Sequence, residues 1–350
     1  MELFVLNKNF EKIAFLDNYS SLEWVRRYCD TGDFVLKTRA DKETIELLKQ
    51  RNYLIREEDE MICQIEKVNI VTDSEKGNEI TVSGRSIEKI LSQRIVWNQT
   101  NSKSSETAEN FVRRLVTENA ISPTDAKRKV PRLKLGKPKG FPEKIDKQIT
   151  GDNLLEAIIK ICQTYEYGFK ITMNDAGDLV FDLYKGEDRS YKQDRNPYVI
   201  FSDDFDNIVN TEYEYDETDI ANTALVGGEG EGKERKYQTI GTSAGFERYE
   251  MFVDAKDISS NKGEIALTEY NKLLVERGKE KIAEKTFVES YEGEIENTHT
   301  YIYKQDYGLG DVVQVENEFG MQATPRIVEI IESNNENGYR VVPTFGTWEV

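Results

Sequence analysis

Short runs of alternating apolar and polar residues, many of them β-branched or aromatic, recur along the whole sequence and are closed by turn signals. A side-chain period of two suits strands that bury one face. ELFVLN and KIAFLDN flank a turn at Asn7–Asn9 and read as a hairpin. SLEWVRRYCDTGDFVLKTRA reads as two strands around Thr31–Gly32–Asp33, and NYLIREEDEMICQIEKVNIVTD as a β region broken by a turn at the acidic run 57–60. FKITMNDAGDLVFDLYKG turns at Asp175–Gly177. Strand-like material resumes in YVIFSDDFDNIVNTEYEYDETDIANTALVGG and in YIYKQDYGLGDVVQVEN. TPRIVEIIESNNENGYRVVPTF places Asn337–Gly338, a hairpin signal, between its strands.

Helical spacing interrupts this pattern in few places. DKETIELLKQ has Asp41 as N-cap with Ile45 and Leu48 on one face. ITVSGRSIEKILSQRIV passes from strand to helix, with Gly84 relieving the turn, Ser86 placed to cap, and Ile87, Ile90 and Leu91 inward. SETAENFVRRLVTENA spaces Ala108, Phe111, Val112, Leu115 and Val116 for one face. DNLLEAIIKICQTYEYG starts at Asp152 or Asn153, ends at Gly168, and aligns Leu154, Leu155, Ile158, Cys162 and Tyr165. A further helix covers about 260–285, with Ile265, Tyr270, Leu273, Leu274 and Ile282 on one side. Few helices among many antiparallel strands predict an α+β, β-dominated class.

Charge narrows the function. The 350 residues hold 47 basic and 65 acidic groups, a net −18. Such a chain repels nucleic acid and anionic lipid on average. Residues 101–150 depart from this with 12 basic and 6 acidic groups, centred on KRKVPRLKLGKPKGFPEK. That run reads as an extended surface loop, with Lys127, Arg128 and Lys129 available to an acidic neighbour. The three cysteines, Cys29, Cys63 and Cys162, are odd in number and far apart, and read as reduced thiols. The N-terminus lacks the pattern of a signal peptide and no run of 18 apolar residues occurs, so the chain reads as cytoplasmic at synthesis and as spanning no membrane.

Two glycine-rich motifs invite enzymatic readings. GGEGEGK at 227–233 fits a phosphate loop, but Glu234 stands where Ser or Thr holds magnesium, and Glu229 and Glu231 would face the phosphates. GTSAG at 241–245 fits a nucleophile elbow around Ser243, with Asp254 or Asp257 and then His299 following in α/β-hydrolase order. The aromatic and charged FERYEMFVDAKD after it reads as strand or loop, not the helix an elbow needs. His299 is the one histidine, which excludes multi-histidine metal centres, and EIENTHTYIY reads as strand. Asp203, Asp204 and Asp206 cluster without the EF-hand spacing. We therefore assign no catalytic, cofactor-binding or metal-ligating residue. A serine hydrolase using Ser243 and His299, or a carbohydrate-binding interaction module, stays as the alternative.

A set of motifs in order resembles one family. Trp24-x-x-Arg27-Tyr28 with Gly32-x-Phe34, SGRSIEKILSQRIV at 83–96, DNLLEAI at 152–158 and DFDNIVNTEYEYDETDIANTALVGGEGEGKER at 204–235 are similar to siphophage tail-hub proteins, the N-terminal module of tail-associated lysins. GFERYEMFVDAKDI at 245–258, DYGLGDVVQVEN at 306–317, and RIVEIIES with a closing PTFG at 343–346 continue the resemblance nearly end to end. It implies a relative of the baseplate hub of contractile phages, with two barrel-like antiparallel β domains and a peripheral α/β domain per chain. It implies a ring of three chains that joins tail tube to tip and passes DNA without specific binding. By analogy the first hub domain covers about 1–100, the peripheral part 101–199 with 245–290, and the second hub domain 200–244 with 291–350. The implied neighbours are the distal tail protein, tail tube, tape measure and tip or receptor-binding proteins, and the implied location is the virion tail. The hydrolase segment of longer relatives is not seen after residue 350, so lytic activity is not carried over. The bore of such a ring is expected to be lined mainly by acidic and neutral side chains.

Overall fold

The computed structural model describes residues 2–346 except 58, 76, 286–287, 295–299, 318 and 321, and gives only the backbone of 209–211 and 288–294. The architecture is α+β and β-dominated, as the alternation predicts. Its centre is an eight-stranded sheet. Across it run, in order, Val209–Asp216, Val288–Glu294, Gly338–Gly346, Arg326–Asn335, Ser21–Arg27, Asp33–Arg39, Glu79–Arg85 and Lys67–Val71. Every neighbouring pair is antiparallel. Four strands come from the first hundred residues and four from the region after 200.

One face of this sheet is covered on both sides of its midline. A four-stranded sheet, in the order Lys12–Leu16, Leu3–Leu6, Tyr53–Arg56, Ile62–Gln64, packs onto the first half. Leu3, Val5, Leu54 and Cys63 from that sheet meet Leu22, Trp24, Phe34, Leu36, Ile80 and Val82 from the central one. On the other side Phe201, Tyr307 and Val315 close over Ile327, Ile330, Val341 and Phe345. Each half is thus a two-layer packing, and no sheet closes into a barrel among the described residues. The reason is the seam. Glu329–Asn334 pair with Leu22–Arg27, so the two halves share one continuous sheet and neither curls shut on itself.

The remaining elements form two further packings. Helices α2 (Ala108–Val116) and α3 (Leu154–Tyr165) cover the hairpin Gly168–Met173 and Leu179–Tyr184. All five predicted inward residues of α2 are buried, and Asn153 caps α3 through hydrogen bonds from the N–H groups of Leu155 and Glu156. Helix α4 (Leu267–Ala283) packs Tyr270, Leu273 and Leu274 on a three-stranded sheet ordered Tyr237–Ile240, Thr223–Gly227, Glu250–Asp254. The short helix α1 (Lys42–Leu47) is capped by Asp41, which accepts from the Thr44 N–H at 2.8 Å.

Several local expectations differ. Gly84 lies inside the strand Glu79–Arg85, where a Cβ would run into the Gln64 carbonyl; close backbone approach, not a turn, requires glycine there. Ile87–Gln93 is a 3-10 helix, and Ser86 makes no side-chain cap bond to it. Helix α3 ends on Glu166 at φ 55°, before Gly168, which opens the next strand. The last hairpin pairs Asn335 with Gly338, so Glu336–Asn337 form its two-residue loop and Gly338, at φ +98°, follows it. Within the basic run, Leu133–Leu135 forms a short strand parallel to Leu179–Tyr184, so that run is not loop throughout.

Candidate functional site

Among the described residues the second face of the central sheet is covered less than the first: α3 and α4 wall a cleft over Arg27, Glu329 and Thr344, and Val25 is buried, but the rest is open, and the alternation of each strand decides what it presents. On this open face stand Glu23 and Arg27, Asp33, Val35, Lys37 and Arg39, Glu79, Ser83 and Arg85, and Glu329 and Thr344. Glu212, Glu214 and Asp216 occupy the corresponding positions on the far edge strand. Three of the cations here, Arg27, Lys37 and Arg85, are matched with acids. Arg27 meets Asp33 at 2.5 Å and Glu329 at 2.6 Å. Lys37 meets Glu79 at 3.0 Å. Glu66 accepts two bonds from the Arg85 guanidinium, each at 3.0 Å, one from the Arg85 backbone N–H at 3.1 Å, and one from Lys89 at 2.6 Å. Burial pushes the Glu66 carboxyl up, but the bonds and charges of Arg85 and Lys89 outweigh that and hold it at about 2. A paired cation presents a dipole and not a free charge, so Arg27, Lys37 and Arg85 attract a polyanion less than bare cations would.

Under the seam between the halves, on the core face, lies a cluster of charged groups. Arg26 and Glu332 come from the two seam strands, Arg56 from the covering sheet, Asp59 from the turn after it, and Lys304 from the segment before residue 307. Arg26 contacts Asp59, Arg56 lies 2.9 Å from Glu332, and Lys304 lies 3.6 Å from Asp59. The Asp59 side chain is fully buried, and the Tyr339 hydroxyl donates to Glu332 at 2.8 Å. Burial raises the Glu332 carboxyl, while Arg56, Arg26 and Lys304 pull it down further, and the net shift is downward. Burial, followed by the Arg26 charge, lowers the Lys304 amine to about 8. Reading 57–60 as a turn misses this role of Asp59. A signal is present at two other positions: alternation puts Arg26 in line with Leu22 and Trp24, and Glu332 in line with Ile330, all inward.

The motif residues fall elsewhere and do not assemble. Gly227 ends a strand, and Arg235 folds back to donate to the Gly227 and Gly228 carbonyls at 2.8 and 3.0 Å. A three-residue 3-10 turn, Gly232–Glu234, follows in place of the long helix whose N-terminus would hold a phosphate. Ser243 sits in the connection between Tyr237–Ile240 and Glu250–Asp254, with its carbonyl accepting from Arg248 at 2.8 Å. Asp254 is held by Arg235 at 2.5 Å and Asp257 by Arg277 at 2.7 Å. His299 lies outside the described residues. Asp203 and Asp204 are exposed on a 3-10 turn that Asp206 ends at φ 49°. Among the described residues no group of three or more His, Cys, Asp or Glu could hold a metal ion. Cys63 and Cys162 are buried; Cys29 donates to the Tyr167 carbonyl at 3.1 Å, and burial raises its thiol to about 12, which leaves no reactive thiolate. In the basic run, Lys134 pairs with Asp178 at 2.6 Å, and Arg128 lies over the exposed Trp97 ring at 4.8 Å.

An open sheet built from both ends of the chain, with a helical module at its flank, is a distinctive arrangement, and comparison with known proteins places it. The family model of the Siphovirus ReqiPepy6 Gp37-like protein matches residues 2–347. The chain belongs to this siphovirus Gp37-like family. The resemblance read from its motifs therefore holds. The same fold occurs in the tail protein from Neisseria meningitidis MC58, at a TM-score of 0.60 and 15% identity over 99% of this chain and 96% of that one. It occurs in the 43 kDa tail protein of prophage MuSo2 from Shewanella oneidensis, at 0.60 and 14% over 99% and 98%. Prophage tail protein gp18 from Listeria monocytogenes EGD-e matches at 0.57 and 13% over 99% and 95%. No curated protein sequence matches the chain. Among the described residues no helix is long and apolar enough to cross a membrane.

Proposed function

We propose that this member of the Gp37-like family is a structural part of the virion tail, the subunit of a three-chain hub ring that joins tail tube to tip and lets DNA through its bore. One observation carries the reading: a single antiparallel sheet drawn equally from both halves of the chain, packed on one face and largely open on the other, where Arg27, Lys37 and Arg85 are paired with acids. The open face is the surface we assign to the bore. Three such sheets side by side give about 24 strands, roughly 115 Å around at the usual strand spacing, which leaves room for a duplex inside the side chains. Closure happens between chains, so the barrel-like character expected of each hub domain belongs to the ring. The pairing of Arg27, Lys37 and Arg85 on this face weakens the counterion release that drives binding of a polyanion. The work is mechanical and involves no turnover.

The packing supports one division into domains. We propose hub halves at about 1–100 and at 200–222 with 291–350. Residues 223–227 pair with 237–240 and with 250–254, and this sheet packs on α4, so 223–244 join the peripheral part with 101–199 and 245–290. The surface at Lys127, Arg128 and Lys129 is assigned to an acidic neighbour in the tail, the distal tail protein or tape measure among them. Class averages of the purified particle by electron microscopy test the whole reading. Three-lobed rings with a central hole are expected. Solitary compact particles in the isolated chain, together with tails that assemble normally without it, overturn it.

A further inference from the structure

Among the described residues the central sheet ends in two edge strands, Lys67–Val71 and Val209–Asp216. With eight strands and antiparallel neighbours throughout, the two edges run in opposite directions. A second copy set beside the first in head-to-tail order therefore meets it antiparallel, and the alternation continues across the junction. The faces also agree. Val68 and Ile70 lie opposite Val82 and Ile80 on the core face, which leaves Lys67, Asn69 and Val71 on the open face. On the other edge Tyr213 packs against the second core, Tyr215 shares its face, and Glu212, Glu214 and Asp216 lie on the open one. Ile70 is 43% and Tyr215 51% exposed in the single chain, although both stand on the core side.

We infer that Lys67–Val71 of one copy pairs with Val209–Asp216 of the next, with Lys67 opposite Asp216, Val68 opposite Tyr215, Asn69 opposite Glu214, Ile70 opposite Tyr213 and Val71 opposite Glu212. The partner is a second copy of this chain, and the inference rests on the ring reading above. Charge and pleat select the register. A slip of one residue sets Ile70 against an acid and exchanges the faces. A slip of two residues one way keeps Lys67 on an acid, Glu214, but sets Ile70 opposite Thr211 instead of Tyr213; two residues the other way keep Ile70 on an aromatic, Tyr215, but set Lys67 opposite Thr218, which carries no charge. Pairing of the acidic edge with itself about Glu214 sets Glu212 opposite Asp216, and like charges directly opposite are destabilising. The Lys67 edge carries no acid, and its bare Ile70 and Val71 are the kind of edge that natural sheets cover. Asp216 already accepts from the Thr218 N–H at 2.8 Å through one oxygen, and its other oxygen is the one assigned to Lys67. Head-to-tail pairing of this kind closes into a ring when the rotation fits.

Two measurements on the full chain test the pairing. Val68→Cys and Tyr215→Cys chains, each with Cys29→Ser, are mixed and oxidised. A cross-linked dimer that forms in the mixture and in neither preparation alone is expected. Dimers from one variant alone, or none in the mixture, contradict the register. In light scattering, Lys67→Glu and Asp216→Lys each raise the concentration at which the trimer dissociates by about tenfold, and the two together in one chain restore it. A trimer that shows neither the cross-link nor the rescue overturns this pairing and leaves the ring standing. A chain that is monomeric at every concentration and never cross-links overturns both.

Discussion

The core face of the central sheet changes chemistry along its width. Over the first half it is apolar, with Leu22, Trp24, Phe34, Leu36, Ile80 and Val82 buried together. At the seam the same face carries Arg26 and Glu332, joined by Arg56, Asp59 and Lys304. Apolar packing is non-directional and stabilises whatever buries the most area. A buried ion cluster contributes little net stability but is intolerant of misplacement, since each charge left unpaired is costly. The half is therefore held by area, and the setting of one half against the other by charge geometry. That division suits a subunit whose continuous sheet has to keep its alignment.

Ways to break this contrast can be ranked. Trp24→Ala is expected to cost about 3–5 kcal/mol in denaturant unfolding, through the lost side chain and the cavity left behind. Asp59→Ala should cost nearly as much, again about 3–5 kcal/mol, since Arg26 and Arg56 lose a fully buried partner. The informative comparison is Arg56→Met with Glu332→Leu. Either alone should destabilise strongly, and the pair together should recover much of the loss. Strict additivity would show that the seam charges act independently.

Acid should probe the same contrast. Glu66 and Glu332 have carboxyls held below their ordinary value, so they contribute stability that is present above about 4.5 and lost as pH falls, for Glu66 toward about 2. Glu88 has the opposite sign. Burial raises its carboxyl although it accepts from the Ile171 N–H at 2.6 Å, so its ionised form weakens the fold as pH rises. Glu88→Gln keeps an acceptor without the charge, and should raise stability at neutral pH by about 1 kcal/mol or less while leaving the acid limb unchanged. The smallest effect is expected at Ser243. Ser243→Ala should shift stability by under about 0.5 kcal/mol, leave assembly intact, and a fluorophosphonate probe should not label the native chain.

What could be read from the residues divides along physical lines. Hairpins were legible where turn chemistry and alternation agreed, as at Asn7–Asn9 and Asp175–Gly177. The α2 stripe was legible because its five apolar residues fall on one face. Pairings between distant segments were not, because alternation fixes which face a strand buries but not which strand lies beside it. Nothing local tells Leu22–Arg27 that its neighbour is Glu329–Asn334. Gly84 was misread for the same reason, since its constraint comes from Gln64 in another strand. The seam charges were half legible: Arg26 and Glu332 break an inward apolar pattern, whereas the burial of Asp59 depends on partners that only the folded chain supplies.

A reconstruction of intact tails that traces individual strands would test the central claim most directly. The account predicts Glu23, Lys37 and Glu212 facing the bore, with three sheets continuous around it. A hub position in which that face is packed against protein, while another surface of this chain or another protein lines the passage, would contradict it.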